Sequence, residues 1–352
     1  MLSEHRFIRA LLRKPVDRTP VWIMRQAGRY LPEYRAIRDK VKDFLVLCKT
    51  PELACQITLQ PLERFPLDAA IIFSDILTIA DALGLELSFL EGEGPCFRSS
   101  IQTVEDVEKL PIIDPEIELR YVMDAIRMVK QATHHQVPLI GFSGSPWTIA
   151  TYMVEGRASK NFTKIKKLMF SQPMILHRLL TRLRNIIVNY LKAQIMAGAD
   201  VLMIFDTWGG VLSCSDYLNF SLHYMQGIIE DLNSYHVKKV PIILFTKNVG
   251  QNVVALSETG CQAVGLDWTV SLDKVRLLIG HKVALQGNLD PAALYADPAY
   301  IQKAVQTILQ QFGQGSGHIF NLGHGIYPDV DPEKVAIMIE AVQSFSTQYH
   351  KI

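Results

Sequence analysis

Eight short runs of apolar or β-branched residues recur along the 352-residue chain, and longer stretches separate them. None of the runs alternates cleanly between apolar and polar residues, the pattern expected of a strand with one solvated face. Each run is therefore predicted to be a strand that is buried on both faces. The runs are residues 21–24, 69–73, 138–142, 201–205, 240–245, 262–266, 282–286 and 318–321.

Helical patterns fill the stretches between these runs, and several begin after Pro or Ser, as helix N-termini often do. Eight buried strands that alternate with helices predict an α/β fold, namely a closed parallel (β/α)8 TIM barrel. The predicted helices include residues 51–64, 116–135, 173–196, 214–233 and 298–312.

A doubly wound open sheet is the competing architecture, but it usually has fewer strands, and no dinucleotide-binding fingerprint follows the first run. The glycine-rich segment 313–317 precedes a strand, which favours a tight loop over a phosphate cradle. Residues 85–100 predict a hairpin excursion. Because no repeat, low-complexity tract or linker interrupts the chain, residues 1–352 are predicted to form a single domain.

The composition excludes several classes of protein. Apolar residues make up 49% of the chain and charged residues 20%, so a disordered protein is not expected. No apolar stretch approaches the roughly 18 residues that span a bilayer, and the charged start of the chain does not fit a secretory signal. The five cysteines form no CxxC pair, which favours reduced thiols in a cytoplasmic enzyme over a disulfide framework or a zinc ribbon.

The near-neutral total of 36 Lys and Arg against 35 Asp and Glu hides a local asymmetry. Residues 1–50 hold 12 basic and 5 acidic side chains, a bias that points to an anionic partner near one end of the chain. Residues 156–199 are also basic, but their helical spacing and the lack of interleaved aromatic residues favour a solvated face. No nucleic-acid partner and no membrane partner is predicted.

Polar residues and glycines concentrate where the predicted strands end, which is where barrels of this type carry their chemistry. In the loop after the first run, Arg25 and Arg29 flank Gln26, Ala27 and Gly28. Gly28 lets the backbone bend, and paired guanidinium groups on a bent loop suit bidentate capture of a carboxylate or a phosphate. A solvated basic surface is the alternative, and the strand-end position favours anion capture.

Two further strand-end residues each have two interpretations. Asp75 follows a very apolar run, so its partly desolvated carboxylate is suited either to stabilise a cation or to cap the next helix. His324 lies between two glycines, where it either contacts a ligand or hydrogen-bonds its own loop. Taken alone, each residue leaves both alternatives open.

Two long segments resemble the signatures of the uroporphyrinogen decarboxylase family. Residues 19–35, TPVWIMRQAGRYLPEYR, are similar to its N-terminal signature, and residues 141–156, GFSGSPWTIATYMVEG, are similar to its second signature. Residues 73–77, 205–210 and 321–326 fit the same family in order. The resemblance covers essentially the whole chain, and chance is a poor explanation for motifs of this length.

The resemblance implies a single-domain (β/α)8 barrel that forms a homodimer. It also implies a reaction, the removal of the four acetate carboxyl groups of uroporphyrinogen III as CO2 to give coproporphyrinogen III in haem and tetrapyrrole biosynthesis. Neither a metal ion nor an organic cofactor is implied.

The resemblance assigns roles to individual residues. Arg25 and Arg29 match arginines that bind substrate carboxylates, and Arg25 also matches a proton donor. Asp75 matches a carboxylate that faces the pyrrole N–H groups, and Tyr152 matches a tyrosine near that carboxylate and the reacting acetate. The implied catalytic residues are thus Asp75, Arg25 and Tyr152, and the other implied substrate-binding residues are Gln26, Ala27, Gly28, Arg29, Arg38, Thr207 and His324.

Two other functions fit the sequence less well. A methyl-corrinoid methyltransferase of the same superfamily would bind zinc through a His-x-Cys element after the fifth strand, where residues 246–248 of this chain read Thr-Lys-Asn. A non-catalytic tetrapyrrole carrier would need the arginines but not Asp75, Tyr152 and Thr207 together. The presence of all of these residues favours the decarboxylase.

Overall fold

Seven parallel strands form the central sheet of the protein. The computed structural model describes residues 4–90, 94–235 and 238–350. In chain order the strands are β1 (Ala70–Ile71), β2 (Leu87–Leu90), β3 (Gly94–Phe97), β4 (Leu139–Gly144), β5 (Val201–Asp206), β6 (Ile242–Thr246), β7 (Ala263–Gly265), β8 (Ala284–Gln286) and β9 (His318–Ile319). The sheet has the order β1-β4-β5-β6-β7-β8-β9, so each strand pairs with the next sheet strand along the chain.

The longer strands of this sheet are buried on both faces, as their unbroken apolar composition predicts. Every residue of β4, β5 and β6 is buried, and the register aligns Phe205 of β5 with Phe245 of β6. Because the strands are parallel, their carboxyl ends lie at the same edge of the sheet. The α/β class and the parallel sheet are therefore confirmed.

The first predicted run does not form a regular strand. Val21 makes one isolated parallel bridge to Phe320. The Asp68 carboxylate accepts the Val21 N–H at 2.8 Å, and the Asn321 side chain accepts the Met24 N–H at 2.9 Å. Side chains thus take two of the N–H groups of this run, while the Trp22 N–H donates to the Phe320 carbonyl at 3.4 Å. An eighth regular strand is therefore not confirmed.

Helices fill most of the connections between the strands. The α-helices are α1 (Arg6–Leu11), α2 (Pro32–Lys40), α3 (Phe44–Lys49), α4 (Pro51–Arg64), α5 (Thr78–Ala80), α6 (Val104–Glu108), α7 (Pro115–Glu118), α8 (Arg120–Ala132), α9 (Pro146–Glu155), α10 (Thr163–Ser171), α11 (Pro173–Ala197), α12 (Cys214–Tyr217), α13 (His223–Asn233), α14 (Val253–Ser257), α15 (Leu272–Ile279), α16 (Pro298–Phe312) and α17 (Pro332–Ser346). Short 3-10 helices cover Gly209–Val211, Gly250–Asn252, Pro291–Tyr295 and Thr347–Tyr349, and π-helical turns cover Asp81–Leu85 and Leu218–Leu222.

The helix predictions differ in how well their bounds match the structure. Helices α4 and α16 have the predicted bounds, and both begin at a proline, whose missing N–H needs no partner in the first turn. The predicted helix 116–135 is split because Leu119, with φ −115° and ψ 17°, leaves helical geometry between α7 and α8. The predicted helix 214–233 contains the π turn Leu218–Leu222.

Strands β2 and β3 form an antiparallel hairpin outside the main sheet, in which Leu87 pairs with Phe97. The predicted hairpin excursion is confirmed, and residues 91–93 at its turn lie outside the described part of the chain. The five cysteines are all unpaired. None of the helices in the described ranges combines the length and apolar character that crossing a bilayer requires.

Candidate active site

A row of aromatic rings crosses the neighbouring strands β4, β5 and β6 and ends at His324, which follows β9. Ring centroids are 5.5 Å apart for Phe142 and Phe205, 6.2 Å for Phe205 and Phe245, and 6.1 Å for Phe245 and His324. Thr207 directly follows the strand that carries Phe205. Polar groups therefore border the rings of Phe142, Phe205 and Phe245, which are called the aromatic floor below.

The arginine loop, residues 25–29, is shaped by the side chain of Gln26. This side chain is fully buried, and its Oε1 accepts the N–H of Ile23 at 3.1 Å while its Nε2 donates to the carbonyl of Ala69 at 3.1 Å. Both of its polar ends are thus used inside the protein. Gln26 shapes the loop next to β1, and the neighbouring Arg25 takes the left-handed conformation, with φ 65°.

The two arginines of this loop remain exposed. In the N-terminal segment before the loop, Arg6 pairs with Asp17 and Asp68, and Arg18 also pairs with Asp68. The structure records no such ion pair for Arg25 or Arg29 within its described ranges. The basic excess of the first 50 residues therefore has two parts, one neutralised by carboxylates and one left available to an anion.

Asp75 is held by a hydrogen bond within its own loop. Its Oδ1 accepts the N–H of Leu77 at 2.8 Å, just before α5. Although the residue keeps some exposure to solvent, burial of the carboxylate raises its pKa above the ordinary value, while the Leu77 N–H and the charge of Arg25 lower it. The carboxylate is thus held by its own loop and also lies within the electrostatic reach of Arg25.

Tyr152 lies on α9 and faces the same group of charges. Burial raises the pKa of its phenol, the Trp208 side chain and Arg25 lower it, and the charge of Asp75 raises it. The rings of Tyr152 and Trp208 are 5.9 Å apart. The structure therefore brings Arg25, Asp75 and Tyr152 together, although the three come from separate parts of the chain.

His324 follows β9 and is largely buried beside Phe245. Burial lowers its pKa to about 3, and the positive charges of Arg25 and Lys247 lower it as well. The imidazole is therefore neutral at pH 7, with one nitrogen donating and the other accepting. His324 contributes hydrogen-bonding capacity to the site, whereas positive charge comes from its neighbours.

Thr207 is half-buried at the end of β5, next to a carboxylate that sequence reasoning missed. Asp206 is fully buried, and its carboxylate accepts hydroxyl groups of Ser145 at 2.6 Å, Thr148 at 2.9 Å and Ser221 at 2.7 Å. Burial raises the pKa of Asp206, and these hydroxyl groups lower it. The hydroxyl residues that follow β4 were the only sign of this cluster in the sequence. That they share Asp206 as an acceptor becomes visible only in the fold.

Arg38 stands apart from the other predicted residues. It is half-buried on α2, and its Nη1 donates to the carbonyl of Val41 at 2.8 Å. Burial raises the pKa of Tyr34 and of Cys48, and the charge of Arg38 opposes both shifts. The charge of Asp75 also raises the pKa of Cys48. Arg38 therefore belongs to the surroundings of the site, and the structure does not place it in contact with Asp75.

The described ranges contain no group of three or more His, Cys, Asp or Glu side chains arranged to hold a metal ion. The zinc-binding element of the rival methyltransferase interpretation has no counterpart in β6, which ends at Thr246 and is followed by Lys247. The site thus offers guanidinium, carboxylate, phenol and imidazole groups.

Comparison with known proteins places this geometry in context. The model of the family described as "Uroporphyrinogen decarboxylase (URO-D)" matches residues 2–345. The curated uroporphyrinogen decarboxylases of Tolumonas auensis and Photorhabdus laumondii are each 59% identical to this chain over 351 residues, and each alignment covers 99% of both proteins.

Solved structures with similar folds are more distant in sequence. A methyltransferase from Methanosarcina mazei has a TM-score of 0.81 and 21% identity, covering 97% of this chain and 98% of that one. A B12-independent methionine synthase from Shewanella sp. W3-18-1 has a TM-score of 0.53 and 11% identity, covering 85% of this chain and 86% of that one. At these identities the likeness shows the fold alone.

Proposed function

The chain belongs to the uroporphyrinogen decarboxylase family, and from this premise we propose how its cleft acts on the substrate. The enzyme is a carboxy-lyase that decarboxylates uroporphyrinogen in tetrapyrrole biosynthesis. In our proposal it converts uroporphyrinogen III to coproporphyrinogen III by removing four acetate carboxyl groups as CO2, without a cofactor. The observation that carries this proposal is the convergence of Arg25, Asp75 and Tyr152 at the carboxyl edge of the sheet.

The reaction needs an electron sink, because direct loss of CO2 from a pyrrole acetate would leave an unstabilised carbanion. Protonation of the pyrrole ring carbon first gives a cationic, iminium-like ring. This ring accepts the electron pair of the breaking C–C bond as CO2 departs, which leaves an exocyclic methylene group. A proton then reaches the exocyclic carbon to form a methyl group, and the ring carbon releases the proton that it took up, which restores the aromatic pyrrole. The substrate thus supplies the sink that pyridoxal phosphate supplies in other decarboxylases.

Asp75 is the residue proposed to stabilise this cation. Its carboxylate is held by the Leu77 N–H before the substrate binds, so it needs little reorganisation as positive charge develops on the ring. Burial raises its pKa, but Arg25 and the pyrrole N–H groups favour the charged form. Asp75 therefore acts as an ionised acceptor beneath the pyrrole nitrogens.

Two side chains are placed near Asp75 to deliver the proton. Tyr152 carries a phenol whose pKa lies above its ordinary value, so it remains protonated at neutral pH. Arg25 is permanently charged and is a poor acid, so its route to the ring requires a bridging water molecule. Both residues belong to the proposed catalytic group, together with Asp75.

The remaining predicted residues are assigned to substrate binding. Arg25 and Arg29 provide the exposed guanidinium groups for carboxylates of the substrate, and Arg38 adds charge from α2. Gln26, Ala27 and Gly28 contribute through the conformation of the arginine loop, since the Gln26 side chain is occupied inside the protein. Thr207 and the neutral His324 offer hydrogen bonds at the border of the aromatic floor.

We also propose that the segment around Val21 closes the sheet into a single-domain (β/α)8 barrel. Its bridge to Phe320 on one side, and the Asp68 N–H that donates to the Val21 carbonyl at 2.8 Å on the other, support this closure. One continuous cluster of buried apolar residues extends from Phe7 to Val342, which supports a single domain.

A homodimer and a cytoplasmic location complete the proposal. Large apolar side chains at the surface, such as Leu277 at 84% exposure and Ile112 at 95%, are available for contact between subunits. The five unpaired cysteines fit a reducing compartment. Light scattering of the purified protein tests the dimer, since a mass of one chain would contradict it.

The reaction is tested by anaerobic incubation of the purified enzyme, without added cofactor, with uroporphyrinogen III. We expect stepwise loss of four carboxyl groups, which is measured by chromatography of the oxidised porphyrins. Absence of coproporphyrinogen would overturn the proposed reaction, and tight binding without turnover would instead support a tetrapyrrole carrier.

A further inference from the structure

Lys247 is a cation at the carboxyl edge that none of the roles described above uses. It directly follows β6 (Ile242–Thr246). On that strand the ring of Phe245 lies 6.1 Å from the ring of His324, whereas the Thr246 hydroxyl faces away, 2.9 Å from the hydroxyl of Tyr217. The Lys247 N–H continues the pairing with β5 by donating to the Asp206 carbonyl, and the charge of Lys247 acts on His324.

Two neighbouring segments hold the backbone of Lys247 in place. Its N–H donates to the carbonyl of Asp206 at 3.3 Å, and its own carbonyl lies tightly against Gly210, where an added Cβ atom would collide with it. The side chain is half-buried, and no carboxylate in the described ranges pairs with its ammonium group, whereas Lys130 and Lys282 are both paired. A half-buried, unpaired cation beside a cleft needs an anionic partner.

Uroporphyrinogen carries eight carboxylates, of which four are lost as CO2 and four, on the propionate side chains, survive. We propose that Lys247 binds one of these surviving propionates, and that the neutral His324 donates a hydrogen bond to the same group. This inference rests on the proposed function. The pair provides a carboxylate site separate from the arginine loop, and because propionates persist, it serves in all four rounds of decarboxylation.

Replacement of Lys247 tests the inference. A charge-assisted contact made equally to substrate and transition state lowers KM without raising kcat. We therefore expect Lys247→Met to raise the KM for uroporphyrinogen by about tenfold, with kcat within about twofold of wild type. Lys247→Arg retains the charge and keeps KM within about threefold. Lys303→Met, which removes an exposed lysine from the outer helix α16, is the matched control and leaves both parameters unchanged.

Product inhibition separates the two kinds of substrate side chain. Coproporphyrinogen carries propionates alone, so Lys247→Met is expected to weaken its inhibition by the same factor as it raises KM. A raised KM with unchanged product inhibition would overturn the propionate assignment. A wild-type KM in Lys247→Met would overturn the site itself, whereas failure of the wild-type enzyme to decarboxylate uroporphyrinogen would overturn the proposed function instead.

A titration of His324 gives a readout that does not depend on turnover. Burial, the charge of Arg25 and the charge of Lys247 all lower the pKa of this histidine, so the pKa is expected to rise when Lys247→Met removes one of the charges. Histidine NMR of the wild-type and Lys247→Met proteins, with His324→Gln to assign the resonance, measures this change. An unchanged pKa would contradict the proximity of the two side chains.

Discussion

The side chain of Arg25 lies directly against the backbone of Gly325. A Cβ atom at residue 325 would come within 2.8 Å of Arg25 Cγ and 2.9 Å of its Nε, and closer still to Cδ. The absence of a side chain at Gly325 therefore sets the path of the Arg25 guanidinium towards Asp75 and His324.

We expect Gly325→Ala to displace Arg25 and to lower kcat/KM by about 10²-fold, since small misplacements of reacting groups have effects of this size. Steady-state kinetics measure the loss, and thermal unfolding shows whether the fold is kept. In an Arg25→Ala background the same glycine substitution should add little, because the group that it displaces is gone. Additive losses in the double variant would refute this account.

Asp75→Asn is expected to leave the fold intact and to lower kcat by about 10²- to 10³-fold, because the neutral amide cannot stabilise the cationic ring. The amide oxygen can still accept the Leu77 N–H. Asp331→Asn is the matched control, since Asp331 accepts the Glu333 N–H at 2.9 Å in the same way but caps α17. Near-wild-type turnover in Asp75→Asn would exclude the electrostatic role.

Asp206→Leu removes the common acceptor of four buried hydroxyl groups, those of Ser145, Thr148, Ser221 and Thr246. Unfolding in urea should show a loss of about 3 kcal/mol or more, because the hydroxyl groups of Ser145, Thr148 and Ser221 would remain buried without this partner. Ser221→Ala removes a single donor, and a loss of about 1 kcal/mol is expected. Equal stability of the two variants would show that the carboxylate does not organise this cluster.

The pH dependence of stability should contain a contribution from His318 on β9. Burial lowers its pKa to about 3 from an ordinary value of 6.5, so between these values the unfolded chain binds a proton that the folded protein does not. This contribution to stability is present above pH 6.5 and is lost as pH falls towards 3, by about 1.4 kcal/mol per pH unit.

His318→Phe preserves the aromatic ring that stacks on Phe312, at 4.5 Å, and removes the titration. Denaturant unfolding between pH 7 and pH 4 should therefore give a shallower loss of stability for the variant than for the wild type. Parallel curves would contradict the neutral, buried state of His318.

The sequence predicted the sheet well because its strands carry their signal locally. The apolar runs of β4, β5 and β6 are buried along their whole length, and prolines mark the starts of α4 and α16. The first run is not confirmed as a regular strand, because two of its N–H groups bond to the side chains of Asp68 and Asn321, which lie far away in the chain. A local pattern carries no information about such distant acceptors.

The residues of the candidate site also differ in how far the sequence predicts them. Arg25, Asp75, Tyr152 and His324 were predicted from motifs and strand ends, and the electrostatic coupling among them is a property of the folded chain. Asp206 was missed because its position at a strand end in the sequence does not show that its carboxylate is buried in the folded protein.

The hydrogen bonds that hold the arginine loop link the beginning of the chain to its end. The Met24 N–H donates to Asn321, 297 residues later, and the Ile326 N–H donates to the Met24 carbonyl. During synthesis at about 5–20 residues per second, roughly 15–60 s separate the appearance of the two partners. Arg25 is thus synthesised well before the partners that hold its loop, so a chain interrupted before residue 321 would carry its substrate-binding arginines without their anchor.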